Sequence, residues 1–246
     1  MVNKYTGITD YYDLLMQSGY YDYQNIAKEV HSTVGDGRQI IEIGVGTGLL
    51  AQKYIEIDPN CQFTGIDITP SMLEMAKIRL GSRVELIEAD MLTMSLNSTF
   101  DVAISNGGVW LFIECGNQQE LVSHIPQIQE NIRGLTNLAQ HLRKDGLFLL
   151  NLQQPGVYFE KHLPGDIVYS HSIEELEETI DYHTRQKSYF FKKNSEIIAH
   201  EKLIITLLRQ EAYQKLFSDA GFEYQGFSQN RSMIIYKKSK NLKIEA

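Results

Sequence analysis

The sequence predicts an α/β protein built on a mostly parallel sheet with helices on both faces. Three observations carry this. Between residues 38 and 151, short β-rich apolar runs alternate with helical stretches, as in successive βαβ units. The first run, Ile40-Ile41-Glu42-Ile43, leads straight into Gly44-Val45-Gly46-Thr47-Gly48 and then a helical stretch. An acid stands at the end of three consecutive runs: Glu42, Asp67 and Asp90.

Strands are expected at 39–43, 62–67, 83–88, 100–105 and 146–151, with helices at 49–57, 71–80 and 118–142. Thr69 and Pro70 supply an N-cap and a first-turn proline for the second helix, and Gly81 ends it. Lys144-Asp145-Gly146 makes the turn from the long helix into the fifth strand. Beyond Pro155 the pattern changes. Ser172-Ile173-Glu174-Glu175 has the spacing of a capping box, which predicts a helix with Glu174, Glu175, Glu177 and Glu178 on its wet face. Runs 179–191 and 196–208, joined by Lys192-Lys193-Asn194-Ser195, read as an antiparallel hairpin. A helix at 210–220 ends at Gly221, and strands follow at 222–227 and 232–237.

The 246 residues carry 23 Lys+Arg against 31 Asp+Glu, a net charge of −8, which argues against nucleic acid as a partner. The two clustered cationic runs, 185–193 and 237–243, read as a solvated strand and a tail. Cys61 and Cys115 lack ligand spacing, so neither a disulfide framework nor a structural zinc is expected. No run approaches the roughly 20 apolar residues of a membrane span. A cytoplasmic, membrane-free protein is the expectation.

Glycine lets a strand turn tightly while the backbone approaches a ligand, and the following helix offers free N–H groups. A dinucleotide fingerprint would need its third glycine at position 49, where Leu49 stands, and no G-K-[ST] ending marks a phosphate loop. Glu42, just before the turn, suits a cationic group better than a pyrophosphate. Asp67, at the tip of the second strand, suits the two hydroxyls of a ribose. Asp90-Met91 suits an adenine amino group and ring.

These residues, together with Gly65-Ile66-Asp67-Ile68-Thr69-Pro70-Ser71-Met72, Phe100 to Asn106 and Leu142 to Phe148, resemble the successive motifs of class I S-adenosylmethionine-dependent methyltransferases. The resemblance implies a Rossmann-like seven-stranded methyltransferase sheet, mostly parallel with an antiparallel final strand. It implies one domain: an N-terminal helical cap (1–37), a cofactor-binding core (38–151), a substrate-covering insertion with an antiparallel β hairpin (152–209), and a closing helix and strands (210–246). S-adenosylmethionine would be the cofactor, S-adenosylhomocysteine the product, and no metal would be needed. By resemblance, Gly44, Gly46 and Gly48 line the methionine portion and Glu42 orients its amino group through water. Asp67 holds the ribose, Asp90 and Met91 flank adenine, Ile68 and Met72 cover its other face, and Asn106 and Gly107 meet the sulfonium end. The cap tyrosines Tyr12 and Tyr21 close over the cofactor.

Asn106-Gly107-Gly108-Val109-Trp110 lacks the Asn-Pro-Pro-Tyr sequence typical of the family's nucleic-acid branch, which leaves small-molecule acceptors. The segments Tyr11-Tyr12-Asp13 and Gly19-Tyr20-Tyr21-Asp22-Tyr23 look like the cap of small-molecule N-methyltransferases, so an amine nitrogen is the expected acceptor, with a hydroxyl or carboxylate oxygen as the alternative. Substrate-pocket candidates are Tyr11, Tyr12, Tyr21, Trp110, Glu114, Gln153, Gln154, Tyr158, His162 and Arg231. Tyr12, His162 and Trp110 are the candidates for a catalytic part, with His124 a second candidate base. The inserted hairpin is similar to one that joins subunits in such enzymes, which leaves room for a homodimer.

Overall fold

The computed structural model describes residues 3–36, 38–116, 118–153 and 160–239. The chain runs through α1 (Thr9–Leu15), α2 (Tyr23–Val34), β1 (Gln39–Ile43), α3 (Leu49–Ile57), β2 (Gln62–Asp67), α4 (Pro70–Leu80), β3 (Glu85–Glu88), β4 (Phe100–Ser105), β5 (Trp110–Cys115), β6 (Gln118–Ser123) and α5 (Ile128–His141). It continues through β7 (Leu142–Gln153), β8 (Glu160–Leu163), β9 (Ile167–Glu178), β10 (Tyr182–Lys193), β11 (Glu196–Leu208), α6 (Gln210–Asp219), β12 (Phe222–Phe227) and β13 (Met233–Lys238).

Seven strands form the core in the order β3-β2-β1-β4-β7-β13-β12. The first five are parallel, and β13 runs antiparallel to β7. β1 lies between β2 and β4 with helices on both faces, so both of its faces must be apolar: Ile40, Ile41 and Ile43 are fully buried. The expected seven-stranded fold is the one observed.

β7 is long enough to serve two sheets. Its last residues leave β4 and pair with β5, Phe112 against Leu152 and Ile113 against Gln153. From there a second layer continues as β5-β6-β11-β10-β9-β8, with every further pair antiparallel. The expected hairpin is β10 and β11, His183 opposite Leu207.

Two expectations are corrected here. The stretch 118–142 is not one helix: Gln118–Ser123 is β6, and only Ile128–His141 is helical. Pro126 excludes a continuous helix through this point, and β6 finds its backbone partners on β5 and β11 instead. Residues 172–178 are not a helix start but the second half of β9, paired with β10. The alternation Ile167, Tyr169, His171 buries every second residue, and the glutamates beyond it reach cations, Glu175 the cross-strand Arg185 at 2.5 Å and Glu178 the α6 N-cap Arg209 at 2.6 Å.

The N-terminal segment is helical as expected, with α1, a π-type turn over Met16–Tyr20, and α2. Two polar clasps seat it. The buried Glu29 carboxylate of α2 accepts from Asn230 N–H and Ser232 Oγ, which closes the β12–β13 end against the helix. Asp13 of α1 accepts from Thr47 Oγ1 at 2.5 Å and pairs with Arg79 of α4, whose guanidinium also donates to the Thr47 carbonyl. Asn3 ties the segment before α1 to β11 by donating to Ile204 O and accepting from Ile204 N–H. Among the described residues no helix is long and apolar enough to cross a membrane.

Trp110 begins β5 fully buried, with its Nε1–H donating to Asn131 Oδ1 at 2.8 Å and its ring edge-on to Phe148. Trp110→Phe therefore removes a buried hydrogen bond and part of a ring, and urea unfolding should show a loss of about 2 kcal/mol.

Candidate functional site

The ends of β1, β2 and β4 meet at one point. Gly44 and Val45 both donate to Ile66 O at 2.9 Å, so the turn after β1 is held against β2. Gly44 has φ +74°, and a Cβ there would stand 2.7 Å from Gly108 Cα, so the two loops are in backbone contact that only glycine allows. Gly107 repeats the demand: φ is +71°, and a Cβ would meet Tyr21 Oη of the cap at 2.8 Å.

Asp67 bridges two turns. Its Oδ2 accepts from Gly46 N–H and its Oδ1 from Thr69 N–H, both at 2.9 Å. Burial raises its carboxyl above the ordinary aspartate value, and the backbone donors act against that rise. Asp90 Oδ1 accepts from Leu92 N–H at 2.9 Å. Glu42 is only 2 % exposed, and its Oε2 has no hydrogen-bond partner among the described residues. Burial, then the nearby Asp67 charge, pushes its carboxyl well above the usual range. Asn106 Oδ1 is likewise buried without a partner. Buried acceptors without donors call for a ligand donor.

Two cavities open from this point. The first, with about 950 Å3 of empty space counted to its open mouth, is walled by Gly44, Gly46, Asp67, Ile68, Met72, Asp90, Met91 and Gly107. The second, about 1300 Å3 on the same measure, lies between the cap and the antiparallel layer. Tyr5, Tyr12, Gly107 and His124 line both and form the neck between them. His124 Nδ1–H donates to the Gly108 carbonyl, so Nε2 carries the lone pair and accepts from Tyr5 Oη at 3.2 Å. Burial lowers the imidazole to about 4, against the pull of the Gly108 carbonyl, and the ring is neutral at pH 7.

Most of the expected cofactor residues converge on the first cavity; Tyr21 lines the second, while Glu42, Gly48 and Asn106 line neither. Gly48 is the left-handed N-cap of α3, packed on Leu80. The substrate set fares differently. Tyr12, Tyr21, Glu114 and Gln153 line the second chamber. Tyr11 instead stacks on Phe191 at 5.4 Å, because the face of α1 that carries it packs on β10. Trp110 is core, held by Asn131, and His162 is exposed on β8; the geometry brings neither of these expected catalytic residues to the lining of the two cavities. Arg231 is not in the chamber lining; it lies over the Phe227 ring at 4.0 Å and 3.7 Å from the lining residue Glu114. Gln154 and Tyr158 lie outside the described residues. Sequence reasoning missed Tyr5, Tyr20, Lys187 and Tyr189 in the chamber wall. The last two had a signal, since Arg185, Lys187 and Tyr189 alternate along one face of a strand.

The donor set fits a cationic nucleoside. Asp67 and Asp90 present oxygens to the first cavity at adjacent strand ends, Ile68, Met72 and Met91 offer apolar cover for a flat ring, and the unpartnered Glu42 oxygen stands one residue before the lining Ile43.

Residues 40–146 match the family model described as a methyltransferase domain. The tRNA1(Val) (adenine(37)-N6)-methyltransferase of Flavobacteriaceae bacterium (strain 3519-10) is 23% identical over 201 residues, covering 79% of this chain and 86% of that protein. A malonyl-[acyl-carrier protein] O-methyltransferase of Acetivibrio thermocellus is 28% identical over 124 residues, but these are 50% of this chain and only 38% of that protein. Among solved structures, Streptomyces venezuelae DesVI superposes with a TM-score of 0.68 at 17% identity, covering 94% of this chain and 98% of that one. SAM-bound CalS10, an amino pentose methyltransferase from Micromonospora echinaspora, gives 0.63 at 17% identity, covering 93% and 96%. The matched domain, the glycine turn and the strand order agree: residues 40–146 are similar to a methyltransferase domain, and the fold is that of the methyltransferases of known structure.

Proposed function

We propose that this enzyme moves a methyl group from S-adenosylmethionine to the amine nitrogen of a small molecule. The observation that carries the reading is the pair of cavities joined at a neck of Tyr5, Tyr12, Gly107 and His124. One suits the nucleoside, with Asp67 on the ribose hydroxyls, Asp90 and Met91 at adenine, Ile68 and Met72 on its other face, and Glu42 toward the amino group. The other is a partly open chamber with aromatic walls, suited to a small acceptor, and the −8 charge disfavours a duplex or folded RNA. S-adenosylmethionine supplies an electrophilic methyl group. The chain's residues align the acceptor's lone pair with it and keep water out.

His124 supports nitrogen over oxygen. An imidazole held near 4 accepts a hydrogen bond at neutral pH but is a weak base. An amine that arrives deprotonated needs no stronger one. The second reading, methylation of a carboxylate or hydroxyl, is favoured by the malonyl-[acyl-carrier protein] O-methyltransferase likeness alone.

Calorimetry with S-adenosylhomocysteine should give saturable binding that Asp67→Ala weakens by about tenfold or more; a wild-type protein that does not bind it would sink the reading. Glu42 adds a signed test. Its folded value lies above the ordinary 4.5, so the folded protein holds this proton more tightly than the unfolded chain does, and stability falls as pH rises from 4.5 toward the folded value. Glu42→Gln should therefore melt higher than wild type at pH 7 without ligand, lose that advantage below 4.5, and bind S-adenosylhomocysteine about tenfold more weakly. With an amine acceptor the rate should follow the acceptor's own protonation, with no enzyme limb in the neutral range. A neutral-range limb that disappears in His124→Asn would favour the oxygen reading.

A further inference from the structure

The second chamber holds one charge with no counter-charge. On β10 the residues Arg185, Lys187 and Tyr189 share one face by strand alternation, and all three line the chamber. Arg185 is already engaged by Glu175 at 2.5 Å. The chamber's own carboxylate, Glu114, is drawn to Arg231 at 3.7 Å. His124 is neutral at the neck. Lys187 remains: among the described residues no carboxylate comes within 4.0 Å of its ammonium.

What surrounds Lys187 keeps it charged. Burial pulls its ammonium down, while Tyr189 and Tyr20 raise it, first through their charge once ionised and then through hydrogen bonds to their oxygens, so it sits above the ordinary lysine value. The Nζ stands 4.9 Å from the Tyr189 ring centroid. A half-buried cation held only by neutral tyrosines has its strongest missing partner in an anion, because charge-assisted hydrogen bonds exceed neutral ones about twofold. The position also matters. Tyr5, at the neck, contacts the Tyr189 ring with centroids 6.1 Å apart, so an anion on Lys187 lies within one small molecule's reach of the transfer point.

We propose that Lys187 is the counter-charge for an anionic group on the methyl acceptor, so that the enzyme's substrate is a small amine that also carries a carboxylate or a phosphate. This rests on the methyl-transfer reading above and narrows its substrate class. Arg185, two residues along the same face, bounds the same side of the chamber.

The test is calorimetric titration of the S-adenosylhomocysteine-loaded protein with two probes in separate runs, sodium acetate and inorganic phosphate. One of them should saturate, and Lys187→Met should weaken it by about tenfold. Lys187→Arg, which keeps the charge, should retain binding within a few-fold, and Lys193→Met, at the exposed hairpin end, should change nothing. Preference for acetate marks the acceptor group as a carboxylate, and preference for phosphate marks it as a phosphate ester. Saturation by neither probe in wild type overturns the proposal, as does equal binding to Lys187→Met, and both leave the methyl-transfer reading intact if S-adenosylhomocysteine itself binds. If S-adenosylhomocysteine fails to bind, the methyl-transfer reading falls, while the same titrations on the ligand-free protein still decide the role of Lys187.

Discussion

Two backbone turns touching at the ends of β1 and β4 set the shape of everything above the sheet. Gly44 and Gly108 approach so closely that a side chain on either one is excluded: a Cβ on Gly108 would stand 2.1 Å from Ile43 O. With the loops pressed together, the first cavity is displaced toward β2 and β3, where Asp67 and Asp90 stand. The second is displaced toward the cap and the antiparallel layer. The glycines thus divide the space into two rooms with a shared neck, and Asp67 stiffens the division by holding Gly46 and Thr69 at once.

The cap completes the enclosure through polar contacts to the glycine turn itself. Asp13 reaches Thr47 and Arg79, and Arg79 reaches the Thr47 carbonyl, so α1, the turn and α4 form one clasp. With the side chains of Asp13 and Arg79 each 15% exposed, this pair is shielded enough to matter more than a surface ion pair. The clasp brings Tyr12 over Gly46 and places Tyr5 beside His124. Cap and glycine turn are therefore mechanically one unit; Tyr5 and Tyr12 of the neck come from the cap, while Gly107 follows β4 and His124 follows β6.

Charge is distributed unevenly between the rooms. Glu42 is buried beside the first, and after burial itself the nearby Asp67 charge raises the cost of ionising it, a cost that a cationic ligand relieves. The second room carries the ammonium of Lys187 among tyrosines. A sulfonium nucleoside and an acid-bearing acceptor complement this polarity, with like charges kept to opposite sides of the neck.

How far the sequence reached can be judged residue by residue. The βαβ run with its glycines, Asp67 and Asp90 was legible because such motifs are local: a strand, a turn and a helix follow one another in the chain, and each glycine's role is set by its own φ. The same locality misled at 118–142 and 172–178, where apolar and acidic spacing suited a helix but ladder partners on β5, β11 and β10 claimed the backbone. Trp110 and His162 looked functional by position near strand ends, yet one is buried against Asn131 and the other exposed on β8, away from the lining of both cavities. By itself, then, the sequence determined the fold class, the glycine turn and the acids around it. Only the tertiary structure decided the second chamber, because Tyr5, His124 and Lys187 lie on separate elements, and their meeting depends on where β7 splits from one sheet into the other.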